Sequence, residues 1–563
     1  MDFNHYFTNE ELEALCSEWA AAHPEILALS TLGQSFQGRP IWLLTLTNKA
    51  SGADIEKPAV WIDANIHATE IAGTTTALRI VHDLLEGYGQ EDRLTRLLDT
   101  RVYYVVPRLN PDGARLAMAA QPRYIRSGVR PYPYEDKDEG LHAQDIDGDG
   151  RILQMRIPDP NGDWKISSLD PRLMEKRDPT EHGGEYYRLF SEGLIEDFDG
   201  HLIKTARQPE GLDFNRNFPF EWRPEGEQAG AGPYPASEPE IKALVDFIAR
   251  HPNINLALTY HTFSRVILRP YSTKADDQME TEDLWVFQKI GEIGSRLTGY
   301  RCVSTFHDFK YHPKEVTTGA FDDWLFDHLG VFSFTVEQWD LPTEAGIQDR
   351  KFMEWYREHP HEQDLQILQW VDEHAGPQAY VNWYPCEHPQ LGKLELGGWN
   401  AMYTWRNPPP GFMGAEAERN APFALALGNL LPRLAIHTLE VTPLGDSAQG
   451  GVDFRLKLVV ENTGFLPTYT SQQGKKRKAT RLVRAELELP AGISLINGKR
   501  RVELGHLEGR SNKLDLTMPG ADSPTDNRAR TEWVLHAEPG AVINLKVISE
   551  RAGVLRREVR LAI

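Results

Sequence analysis

A histidine and a glutamate three residues apart can hold a metal ion between them. The chain contains five such pairs, beginning at His67, His182, His312, His359 and His437. With nineteen histidines in the sequence, some of these pairs arise by chance, so the elements around each must decide. His182 lies in an irregular stretch, His312 and His359 flank prolines, and His437 stands in a strand-like run, so each of these reads as a surface or packing histidine. His67 and Glu70 instead close the apolar run "PAVWIDANI" and open a helical pattern. In open α/β sheets, ligands bind beyond the carboxyl ends of the strands. Two further residues stand at equivalent places: His261 follows "NINLALTY" and Glu337 follows "GVFSFTV". His67, Glu70 and His261 form a two-histidine, one-carboxylate set, a usual catalytic zinc shell with its fourth position open to water. That leaves Glu337 as a base.

These residues need a sheet to bring them together. From the start to about residue 375, strand-like and helix-like segments alternate, the pattern of an α/β fold. "EELEALCSEWAAAH" reads as an opening helix and "IWLLTLTN" as a strand. Ala77, Ile80, Val81, Leu84 and Leu85 give the segment after His67 a helical stripe. "RVYYVVPRLN", "NINLALTYHT" and "GVFSFTVEQW" are nearly continuous apolar runs, which suit strands buried on both faces. Residues 128–210 lose periodicity and crowd Asp, Gly and Pro together, so a loop-rich insertion is expected there. Residues 376–429 read as a connecting segment. From 430 to 563 short alternating runs such as "VDFRLKLVV" and "RAELELP" are separated by Gly and Pro turns, and a β-sandwich is expected.

At 563 residues the chain is long enough for two or three domains. A net charge of −21 argues against nucleic acid and anionic membrane as partners, because phosphates require a basic surface. The one basic run, Lys475, Lys476, Arg477 and Lys478, reads as a solvated loop. Three scattered cysteines indicate neither a disulfide framework nor a cysteine metal site. The N-terminal stretch lacks a basic region followed by an apolar core, and no run approaches a membrane span, so a cytoplasmic location is expected.

The residues to about 375 carry a resemblance to the zinc metallocarboxypeptidases of the carboxypeptidase A type. "LGQSFQGRPIWLLTL", "NIHATE", "NPDG", "GLDFNRNFP", "YPASEPEI", "YHTFSRVILRPY" and "FTVEQW" resemble the family's motifs in their order. The resemblance implies a mixed, largely buried central sheet flanked by helices, and an exopeptidase acting on peptides with a free C-terminal carboxylate. It implies Zn2+ on His67, Glu70 and His261, with Asp213 accepting the second ring proton of His67 and fixing its tautomer. Asn215 and Arg216 would grip the substrate carboxylate, where a guanidinium offers two parallel hydrogen bonds. Arg126 would stabilise the oxyanion that develops on the scissile carbonyl. Glu337 would carry the proton from the attacking water to the leaving amine.

The sequence departs from this pattern in places. Thr69 stands where many relatives of the digestive type have an arginine that contacts substrate. Counting back from Asp323 puts Glu315 at the family's mobile-loop tyrosine, with Tyr311 four residues earlier as the alternative. The same count puts Asp322 at the base of the specificity pocket, where it would favour a C-terminal Lys or Arg. The alternative for Asp322 is an acid at a helix start. In the insertion, Asp145, Asp147 and Asp149 resemble the first part of a calcium loop, but position twelve is Arg156 rather than glutamate. A variant Ca2+ site and an acidic turn are the two readings. Two other functions stay open: a related zinc amidase, deacylase or cell-wall peptide hydrolase, and an inactive scaffold whose C-terminal domain binds protein or glycan.

Overall fold

The computed structural model of the chain describes residues 1–563 apart from Tyr311, Pro313, 447–449, Asn512, Leu516 and Pro519. Tyr311, the candidate loop tyrosine, therefore lies outside the described residues. Among the described residues, eight strands form the principal sheet: β1 (Leu27–Gln34), β2 (Pro40–Leu46), β3 (Ala59–Ala64), β4 (Val102–Val106), β5 (Ile254–Thr262), β6 (Val266–Arg269), β7 (Arg301–Ser304) and β8 (Phe332–Gln338). Their order is β1-β2-β4-β3-β5-β8-β6-β7. The inner strands β4, β3, β5 and β8 are mutually parallel, while β2 joins β4 and β6 joins β8 antiparallel. The sheet is mixed, as the α/β reading requires. Every residue of the four inner strands is buried, which explains why they read as unbroken apolar runs.

Helices cover the sheet. The opening helix Asn9–Ala22 begins at a capping box in which Thr8 and Glu11 satisfy each other's backbone N–H groups. Ala77, Ile80, Val81, Leu84 and Leu85 turn the helix Ala72–Gly87 onto the core. A Cβ on Gly73 would lie 2.9 Å from that of Tyr260 and 3.0 Å from that of Ala64. Glycine is what lets this helix start directly against β3 and β5.

The insertion is less formless than its sequence. Its short strands Gln154–Pro158, Trp164–Ile166, Met174–Lys176 and Tyr187–Ser191 join Tyr380–His388 and Gly392–Trp399 in a second sheet. Leu396 is in register with Met155. Residues 376–429 thus do more than connect. Their hairpin completes the sheet of the insertion, and their helix Pro410–Leu427 buries Ala421, Phe423 and Ala424 in the main core.

From Leu434 onward the chain forms two four-stranded sheets. One apolar cluster draws on both, with Phe454, Leu456 and Leu535 from one sheet and Val483, Leu545 and Val547 from the other. The basic run expected as a loop is a short helix, Gln472–Arg477, closed by Lys478 in the left-handed region. Its charged side chains are exposed, but Ser471 at its start donates to Gly330 O at 2.8 Å, and Arg477 pairs with Asp327. The helix therefore seats the C-terminal part on the principal unit. No described helix is long and apolar enough to cross a membrane.

Candidate active site

The site begins where β3 ends. Asn65, with φ of 58°, turns the chain, and its amide donates to His67 O at 2.7 Å. Asn110 donates to both Ile66 O (3.2 Å) and Ser127 O (2.8 Å), and Ala68 N donates to Arg126 O at 2.9 Å. Buried backbone groups of the His67 turn are thus satisfied by the strand end and by the segment that carries Arg126. Gly113 is required here, because a Cβ on it would stand 2.6 Å from Ala68 Cβ. The other two contributions come from the sheet itself: His261 and Glu337 are direct partners on the parallel strands β5 and β8. A register slip of one residue on either strand would send one of them to the opposite face.

Three ligand-capable atoms converge. His67 Nδ1 lies 3.0 Å from Glu70 Oε2, His261 Nδ1 lies 3.1 Å from the same oxygen, and the two Nδ1 atoms are 3.1 Å apart. Ligands about 2.0–2.2 Å from one tetrahedral zinc ion stand roughly 3.3–3.6 Å from each other. The triangle is slightly tighter than that and of the right shape. Asp213 Oδ1 accepts from His67 Nε2 at 3.1 Å, which leaves the Nδ1 lone pair facing inward. His261 is fully buried, and burial lowers its pKa against the pull of Glu70, so it too offers a bare nitrogen. Burial works against charge on Glu70, but His67 and His261 outweigh it and hold the carboxyl well below its ordinary range. Two histidines and a carboxylate with inward lone pairs fit a divalent zinc ion.

Around this centre stand the other sequence-predicted residues. Arg126 Nε donates to Asp213 Oδ2 at 2.8 Å, and its Nη1 lies 3.2 Å from Glu70 Oε1. Burial opposes the charge of Asp213, but Arg126, Arg216 and His67 together keep the acid well below its usual range. Asn215 Oδ1 accepts from Phe321 N at 2.9 Å, and Arg216 Nη1 donates to Asn215 O at 2.7 Å, so the pair is fixed as a unit. Burial, then the charge of Glu70, push Glu337 well above the ordinary glutamate range, with Arg126 and Arg406 opposing. Its Oε2 is buried without a hydrogen-bond partner among the described residues. A buried carboxylate oxygen with no protein partner, beside a metal-binding triangle, is placed to receive a proton from a third party.

A cleft of about 410 Å³ opens on this centre, lined among others by Glu70, Arg126, Arg216, Glu337, Tyr356 and Arg406. Tyr356 and Arg406 were not legible as site residues. Arg406 Nη1 lies 3.7 Å from Glu70 Oε1, and its guanidinium carbon lies 5.2 Å from the centre of the Phe263 ring. The next residue, Asn407, donates to Thr69 O at 2.8 Å and accepts from Ala72 N at 3.0 Å. The segment carrying Arg406 is thereby bonded to the His67–Glu70 turn.

Other expected residues are hydrogen-bonded within their own elements. Asp322 is buried in the first turn of the helix Phe321–Leu329 and accepts from Asp323 N at 3.0 Å and Thr335 Oγ1 at 3.3 Å. Burial pushes its pKa up to about 6, against Arg216. It stands at a helix start and is not among the described residues of the cleft wall, but its charge acts on Glu337 and is acted on by Arg216, both of which line the cleft. Asp145, Asp147 and Asp149 bring oxygens within 4.8 Å of one another. They also accept hydrogen bonds within their own loop: Asp145 from Gly148 N (2.6 Å) and Gly150 N (2.8 Å), Asp147 from Asp149 N (3.1 Å), and Asp149 from Arg151 Nη2 (2.6 Å). This bonding is that of the acidic turn. Of the competing histidines, His359 stacks on Trp355 with ring centres 4.0 Å apart, and His437 lies 3.6 Å from Glu461.

Comparison with known proteins agrees with this geometry. A family described as a domain of unknown function matches residues 433–560. Carboxypeptidase A2 of Rattus norvegicus is 26% identical over 387 residues, 64% of this chain and 72% of the relative. Carboxypeptidase B of Homo sapiens is 26% identical over 346 residues, 58% and 61% of the two chains. Among solved structures, thrombin activatable fibrinolysis inhibitor matches with a TM-score of 0.38 and 21% identity over 66% of this chain and 75% of that one. Carboxypeptidase A from Helicoverpa armigera matches with a TM-score of 0.38 and 19% identity, covering 67% and 76%. The zinc carboxypeptidase family itself matches residues 12–355, a span that contains the metal triangle, its orienting Asp213, both cleft arginines of the motifs and Glu337. The chain belongs to the zinc carboxypeptidase family.

Proposed function

We propose that the protein is a zinc-dependent carboxypeptidase that removes single residues from the C-termini of peptides. The observation that carries this reading is the triangle of His67 Nδ1, Glu70 Oε2 and His261 Nδ1 beside the partnerless Oε2 of Glu337. Zinc held by His67, Glu70 and His261 supplies an electrophile that acidifies water and polarises a carbonyl. Glu337 takes one proton of the attacking water and passes it to the leaving nitrogen as the C–N bond breaks, and the water's second proton moves from the new carboxyl group to the amine, giving a carboxylate and an ammonium. Arg126 faces the carbonyl oxygen as it gains charge. Arg216, steadied by Asn215, binds the terminal carboxylate and so selects chain ends over chain interiors.

Arg406 completes the cleft. Thr69 leaves the motif without the arginine that relatives use on substrate, and a guanidinium reaches the same turn from a distant part of the chain through the Asn407–Thr69 bond. Arg406 binds the peptide upstream of the scissile bond, through a backbone carbonyl or an acidic side chain.

The test is release of free amino acids from a mixed peptide panel, with C-termini free or amidated, by zinc-loaded wild type and Glu337→Gln. Wild type trims the free-acid peptides only, and the variant is slower by about 10²–10⁴-fold. Release of Lys or Arg alone would show Asp322 reaching the substrate. Equal cleavage of amidated peptides would move the assignment to an amidase.

A further inference from the structure

The chain carries a net charge of −21, yet one cleft inverts that balance. It lies between the principal unit and the C-terminal sheets, has a volume of about 200 Å³, and is lined by Arg93, Arg96, Arg101, Arg433 and Arg510 with no carboxylate in its wall. None of the five guanidinium groups forms an ion pair among the described residues. Arg101 is only 7% exposed. Its Nε and Nη1 donate to the backbone oxygens of Gly428 (3.1 Å) and Thr100 (3.0 Å), so its charge is buried without an opposite charge. Burial, then the neighbouring charge of Arg433, lower its pKa to about 10. Isolated buried charge and clustered like charge are both costly arrangements.

Backbone hydrogen bonds tie the C-terminal wall of this cleft together. Thr463 N donates to Arg433 O at 2.8 Å, Leu466 N to Leu430 O at 3.0 Å, and Arg510 N to Gly464 O at 3.2 Å. Arg93 and Arg96 stand in the helix Asp92–Thr100 and Arg101 is its C-cap, whereas Arg433 and Arg510 belong to the C-terminal part. The cationic surface therefore exists only while the two parts are docked, with Arg101 held in place by its bonds to Gly428 O and Thr100 O.

We infer that this junction cleft is a binding site for a small phosphate-bearing molecule with at least two negative charges. The planar guanidinium fork matches phosphate oxygens in pairs, five such groups exceed what a monoanion can neutralise, and the volume admits a diphosphate-sized group but no folded macromolecule. A ligand held by arginines from both parts stabilises their docking by mass action.

The experiment is titration calorimetry of the full-length, zinc-loaded chain with inorganic pyrophosphate, inorganic phosphate and citrate at matched ionic strength, on wild type, Arg433→Ala and Arg510→Ala. Both substituted side chains are exposed, and thermal melts with peptide hydrolysis confirm that each variant keeps its fold and its activity. The expected result is one saturable pyrophosphate per chain, bound more tightly than phosphate or citrate and weakened tenfold or more in each variant, with a melting temperature that rises with pyrophosphate in wild type only. No saturable binding, affinity unchanged by both substitutions, or citrate binding as tightly as pyrophosphate would overturn the assignment.

Discussion

Among the described residues, two places gather three metal-capable side chains within 4.8 Å: His67, Glu70 and His261 at the ends of buried strands, and Asp145, Asp147 and Asp149 in the insertion. They differ in where the lone pairs go. At the first, Asp213 takes the far nitrogen of His67, and the two Nδ1 atoms face each other and Glu70 Oε2, which also accepts from Thr262 N at 3.2 Å. At the second, the carboxylate oxygens are engaged by the N–H groups of Gly148, Asp149 and Gly150 and by the guanidinium of Arg151. Glu192 draws in the same loop through Ile146 N and Leu153 N. Residue type and spacing make both candidates, whereas the direction of the remaining lone pairs separates a site that can bind an ion from a turn that needs none.

Substitutions can break or sharpen that contrast. His261→Ala removes one corner of the triangle, so zinc retention is lost and peptide hydrolysis falls on the order of 10³-fold or more, measured by metal analysis and amino-acid release. Asp213→Asn leaves all three ligands but frees the tautomer of His67, and zinc affinity drops about 10–100-fold in competition with a chelator. Arg406→Ala leaves zinc untouched and raises KM roughly tenfold with little change in kcat, as expected for a charged hydrogen bond made to substrate away from the reacting atoms. The smallest functional effect belongs to the other cluster. Asp145→Ala leaves zinc content and hydrolysis unchanged and lowers stability by about 1–2 kcal/mol through two orphaned N–H groups, read from a denaturant titration.

Much of this was visible beforehand because it is local. The inner strands announce themselves by unbroken apolar runs, and His67, Glu70, His261 and Glu337 sit at the ends of three of them, where an α/β sheet must open. What escaped depends on pairing over long sequence distances. Strands such as Trp164–Ile166 and Met174–Lys176 are three residues long and half-exposed, so no periodicity marks them. The hairpin that completes their sheet lies far along the chain. Arg406 had no motif around it, and its tie to the metal turn runs through Asn407 to Thr69, 338 residues away. Asp322 was placed by counting alone, and counting does not reveal that it stands in the first turn of the helix Phe321–Leu329, bonded to Asp323 N and Thr335 Oγ1.

The central claim is that the buried triangle, and not the acidic loop, is where this chain holds its metal. Zinc X-ray absorption on chelator-stripped, zinc-restored protein tests it directly, with His261→Ala and Asp145→Ala in parallel. One zinc per chain, coordinated by imidazole nitrogen and oxygen at about 2.0–2.2 Å, absent from His261→Ala and unchanged in Asp145→Ala, is the predicted result. Zinc in an oxygen-only shell that survives His261→Ala and disappears in Asp145→Ala would contradict it.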